Sequence, residues 1–112
     1  RFSPSGKLLA YGLETMEIWD TQKWNLQKSI KLPASPHRAV ISHDDEWLAA
    51  TFHDKVNEVA IYSIATGERL WSAKTGKGMA HALAFSPKGN LLAASSENVV
   101  YVWELSKKPA AK

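Results

Sequence analysis

The chain has 112 residues, 45% of them hydrophobic and 22% charged, enough for one small globular domain and too apolar for a disordered chain. It has no Cys, which excludes a disulfide framework and thiolate chemistry. The net charge of +3 is mild and lies partly in the tail at 106–112, so no clustered basic face points to nucleic acid, and no apolar run reaches the length of a membrane span.

The chain opens on Arg1-Phe2-Ser3-Pro4-Ser5-Gly6, and a strand is expected from the following Leu8-Leu9-Ala10. Pro second and Gly fourth in Ser-Pro-Ser-Gly suit a type I turn closed by a left-handed residue, so residues 1–12 read as the end of one strand, a bulged turn and a second strand. A further strand ends at Glu17-Ile18-Trp19-Asp20. The segment 20–32 begins like a helix, but Trp24, Leu26, Ile30 and Leu32 are mostly two apart, which predicts a strand over 26–32.

The pattern then repeats. Ile41-Ser42-His43-Asp44-Asp45 is a second turn, with Asp45 expected to enter the left-handed region in place of Gly. Trp47-Leu48-Ala49 follows, and then Val59-Ala60-Ile61-Tyr62-Ser63, rich in β-branched and aromatic residues. A third copy runs through Phe85-Ser86-Pro87-Lys88-Gly89, Leu91-Leu92-Ala93 and Val99-Val100-Tyr101-Val102-Trp103. Residues 84–95 match residues 1–12 at seven of twelve places, and the turn serines are 39 and 44 residues apart.

Four short antiparallel strands, a to d, per repeat of this length make the grammar of a β-propeller blade. The expected fold is all-β, with about two and a half to three blades. They are a partial blade at 1–33 (strands b, c, d), a complete blade at 34–79, a partial blade at 80–105 (strands a, b, c) and a basic tail at 106–112. The strand at 80–85, with Ala on one face and His81, Leu83 and Phe85 on the other, fits the crowded interior of such a ring.

These phrases, Phe-Ser-Pro-x-Gly-x-Leu-Leu-Ala with Ile-Trp-Asp or Val-Trp-Glu, resemble the WD40-repeat family over nearly the whole chain. The middle copy, through Ala65-Thr66-Gly67-Glu68-Arg69-Leu70-Trp71, resembles quinoprotein-type propellers, which share the four-stranded blade. The chain lacks the Gly-His pair of regular WD40 blades, and Leu13 and Glu97 stand where those blades carry an Asp. These blades are therefore expected to depend more on packing than on a polar network.

The resemblance implies a non-catalytic scaffold that binds a protein or peptide. It places the partner on the rim built by the b–c and d–a loops: His37, His53, Asp54, Lys55, Asn57, Lys77, Met79, Glu97 and Asn98. Trp24 and Trp47 match no repeated aromatic position, and each is a candidate exposed anchor. Trp19, Tyr62 and Trp103 are expected in the core, and Trp71 between blades. No catalytic residue, cofactor or metal site is assigned. The four His keep no metal spacing, and Gly76-Lys77-Gly78 lacks the third Gly and the helix of a phosphate cradle.

An incomplete propeller leaves apolar blade faces in water. The chain is therefore expected either as a segment of a longer propeller or as a homo-oligomer completing a ring. The alternative readings are a non-catalytic part of a propeller enzyme, of hydrolase or quinoprotein type, and a propeller piece engineered to self-assemble.

Overall fold

The computed structural model describes residues 1–12, 14–33, 36–52, 58–74, 82–88, 90–96 and 99–105. Among them ten strands form three antiparallel sheets, and no helix occurs. The first sheet contains β1 (Leu8–Gly12), β2 (Thr15–Asp20) and β3 (Asn25–Lys31). The middle sheet contains β4 (Pro36–Ile41), β5 (Trp47–Phe52), β6 (Glu58–Ser63) and β7 (Arg69–Lys74). The third contains β8 (Ala82–Phe85), β9 (Leu91–Ser96) and β10 (Val99–Glu104). The all-β expectation holds, and residues 20–32 give a turn and a strand.

Each sheet is a meander, with strands paired in the order in which they occur in the chain. The tight turns explain this. Gly6 and Asp45 both have positive φ, +78° and +61°, as the sequence predicts for the fourth residue of each turn. In both turns that residue donates its N–H to the carbonyl of the opening serine, at 2.9 and 3.0 Å.

The serine itself has a role that the spacing does not reveal. Its backbone carbonyl serves the turn, which leaves the N–H five residues on in need of an acceptor. The serine hydroxyl takes it: Leu8 donates to Ser3 Oγ at 3.2 Å, Trp47 to Ser42 Oγ at 3.0 Å and Leu91 to Ser86 Oγ at 3.0 Å. Ahead of the first turn, Phe2 bridges Leu9, and Ala10 donates to the Arg1 carbonyl at 2.8 Å, so residues 1–3 run along β1 as the stub of a further strand.

The sheets are stacked face to face, with the middle one between the other two. The back of the first sheet (Ala10, Met16, Ile18, Ile30) packs on the front of the middle sheet (Ile41, Leu48, Phe52, Tyr62). The back of the middle sheet (Val40, Trp47, Val59, Ile61) packs on the front of the third (Leu83, Phe85, Leu92). Both junctions therefore use the same sense of stacking. Every residue of β5 is buried, so that strand has no polar face. Its Ala49 and Ala50 allow close approach on either side, while Trp47 and Phe52 fill the space near its ends. Fully burying each large aliphatic or aromatic side chain contributes about 1.5–3 kcal/mol. The two junctions, rather than any single sheet, thus hold the chain together.

Candidate partner-binding surface

The inner strand faces are committed to stacking, and clefts with polar side chains in their walls open at the two ends of the sheets. At one end β1, β3, β5 and β7 finish, and there the sequence places its rim. Of that rim, His53, Asp54, Lys55, Asn57, Lys77, Met79, Glu97 and Asn98 lie outside the described residues. His37 lies on β4, half-buried, in the wall of a cleft of about 500 Å³ between the first and middle sheets. Tyr11, Gly12 and Arg38 line the same cleft. The β4–β5 pairing is irregular between Pro36 and Arg38, and the Arg38 N–H bonds Thr51 Oγ1 at 3.1 Å.

The opposite end carries the tight turns. A cleft of about 670 Å³ opens there between the same two sheets, with Lys7, Asp20, Gln22, Gln27, Asp45 and Glu46 in its wall. Ser5 spans from sheet to sheet, its hydroxyl bonding the Asp45 carboxylate at 2.8 Å. Asp20 organises the β2–β3 turn. Its Oδ1 accepts the N–H of Gln22 at 2.8 Å and of Lys23 at 3.0 Å, and these two backbone donors hold its carboxyl below the usual carboxylate range. Thr21 ties this turn to its neighbour by donating to the Gly6 carbonyl at 2.6 Å.

On this braced turn sits Trp24, with φ +54° and 59% of its surface exposed. Positive φ is an outlier for a bulky residue. The middle sheet shows what the turn ordinarily takes. Both β2–β3 and β6–β7 shift register before the aromatic, at Ile18/Trp19 and Ile61/Tyr62, and five residues after each aromatic stand Trp24 and Gly67. Gly67 has φ +78°, and a Cβ there would meet Lys28 Cε at 3.1 Å. At the first sheet the corresponding place is open, and Trp occupies it.

Trp47, the other candidate anchor, is corrected by the structure. It is 1% exposed, and its ring lies tilted against Phe85, with centroids 6.1 Å apart, between the middle and third sheets. It takes the repeat position held by Leu8 and Leu91, an apolar position rather than an aromatic one, and that alignment was the available signal of burial. Trp71 meets Trp103 edge-on at 5.6 Å, across the middle and third sheets, and Trp103 also stacks on Tyr101. Tyr62 is buried, whereas Trp19 and Trp103 are partly covered. Trp19 donates its indole N–H to Glu17 Oε1 at 3.0 Å, a local bond on its own strand that sequence reasoning missed.

Among the described residues no three His, Asp or Glu side chains form a group that could hold a metal ion. No protein-family model matches the chain, and no curated protein matches it.

Proposed function

We propose that this chain is a non-catalytic scaffold of propeller-type, WD40-like blades that binds a protein or peptide, with Trp24 as the aromatic anchor. The meander sheets, their repeated sense of stacking and the doubly covered middle sheet support the blade reading. The observation that carries the binding reading is Trp24 itself. It adopts positive φ and stays in water at a place where the next sheet uses Gly. Strain of that kind costs about 1–3 kcal/mol and is retained where function uses it. Trp is also the residue most enriched at the centres of binding interfaces.

The test is selection of a phage-displayed random peptide library on the immobilised chain, followed by affinity measurement on the enriched peptides. Trp24→Gly should weaken them about tenfold or more, the loss expected of an interface anchor. The reading fails if no peptide is enriched, or if the enriched peptides bind Trp24→Gly as well as the parent chain.

A further inference from the structure

The middle sheet supplies an internal standard for the outer two. Its front residues Ile41, Leu48 and Tyr62 are 4%, 0% and 3% exposed, covered by the back of the first sheet. The same repeat positions in the first sheet are Phe2, Leu9 and Trp19, aligned across the strands by the Phe2–Leu9 bridge and the Leu9–Trp19 pair. There Phe2 is 58% exposed, and Tyr11, the counterpart of the fully buried Ala50, is 69% exposed. On the other side, Val59 and Ile61 on the back of the middle sheet are 0% exposed, while their counterparts Val100 and Val102 in β10 are 69% and 59%. The chain thus presents one uncovered front and one uncovered back.

We infer that the front of the first sheet docks on the back of the third sheet of a second copy of this chain, head to tail. Three observations favour this occupant. The free pair is the pair of faces that the chain already joins twice within itself, front on back, at its two internal junctions. The faces are also complementary in size. The front carries the large Phe2, Tyr11 and Trp19, and the back carries the small Ala82, Ala84 and Ala93 beside the two valines, with Leu91, 36% exposed, as its one larger apolar side chain among the described residues. Large against small is how packed layers interdigitate, whereas front on front would set large against large. Finally, exposed apolar rows on this scale mark association surfaces. A contact between two different patches of one chain is heterologous, so it propagates until a ring closes or a filament grows. This inference does not rest on Trp24 or on the binding role proposed for it.

The experiment is analytical ultracentrifugation of the 112-residue chain with two variants, Tyr11→Asp on the front and Val102→Asp on the back. Both side chains are exposed in the single chain, so folding is retained, and far-ultraviolet circular dichroism checks it. If Val102→Asp loses its strand signal, Val100→Lys takes its place. From about 1 to about 200 μM, a range chosen because oligomers respond to protomer concentration, the parent chain should sediment as whole multiples of one chain. Each variant alone should fall to the mass of one chain. Mixed in equal amounts, they should form a dimer and nothing larger, because each retains the face that the other has lost. The inference is overturned by a parent chain that stays single throughout, by either variant associating alone, or by folded variants that fail to pair.

Discussion

Trp24 and Gly67 occupy the same place in successive sheets, five residues past Trp19 and Tyr62, and both backbones are left-handed, at φ +54° and +78°. Only one of the two residues suits that conformation. A left-handed backbone costs a residue with a Cβ about 1–2 kcal/mol. Trp24→Gly should therefore stabilise the folded chain by about 1 kcal/mol while removing the proposed anchor. Gly67→Ala should act in the opposite sense, and its Cβ would also press on Lys28 Cε. Urea unfolding midpoints, with unchanged slope, measure both.

The turn serines make a second comparison. Ser42 and Trp47 are each 1% exposed, so the bond from the Trp47 N–H to Ser42 Oγ lies out of reach of water. Ser42→Ala deletes this buried bond together with the one that Ser42 Oγ donates to Asp44 Oδ1 at 2.6 Å, and should cost about 1–3 kcal/mol. In the third sheet, Ser86 receives the N–H of Leu91 beside solvent, and water can replace the hydroxyl. Ser86→Ala should cost less than Ser42→Ala in the same denaturant titration.

Ile61 and Val102 test the stacking directly, since they are the same repeat position with and without a covering sheet. Ile61→Ala opens a cavity between the middle and third sheets and should cost about 2–5 kcal/mol. Val102→Ala, measured at low concentration where chains are single, should stay within about 0.5 kcal/mol, as exposed substitutions do. Thermal melts of the two variants give the contrast.

Alkaline pH should loosen the first junction through Tyr62. Burial pushes its phenol above the ordinary tyrosine range, with Arg69 pulling the other way and Glu58 adding to the rise. The folded chain therefore holds this proton more tightly than the unfolded chain does. The stability linked to it is complete at neutral pH and is lost as pH climbs from about 10 through the raised folded value. Tyr62→Phe should remove this alkaline loss, which a series of denaturant midpoints above neutral pH would show.

The strands and their sheets were legible because the same local signals recur three times. Ser-Pro-x-Gly marks a turn by chemistry alone, and β-branched and aromatic content marks Val59 to Ser63 as a strand. Asp45 could be anticipated in the left-handed region for the same reason, since the residue aligned with it is Gly6. Trp47 was misread because its chemical type was weighed above its position. A Trp in an aliphatic slot of a twice-covered strand is core, and only the aligned Leu8 and Leu91 say so. Trp24 carried the converse signal. Aligned with Gly67, it breaks the turn's rule, but the strain becomes visible only once the backbone angle is known. The exposed front and back rows follow from strand order together with stacking sense, and stacking sense is a tertiary property that no window of sequence contains.

β5 and β6 have water on neither side, and this orders the chain in time as well as in space. Their amides open to solvent only when a whole junction separates, whereas those of the stub at residues 1–3 and of β10 need only edge fraying. Deuterium should therefore enter from the two outer strands inward, with Leu48 to Ala50 and Ala60 to Tyr62 among the last to exchange. The middle sheet acts as the clock of the molecule: its slowest protons report how long both neighbours stay seated at once.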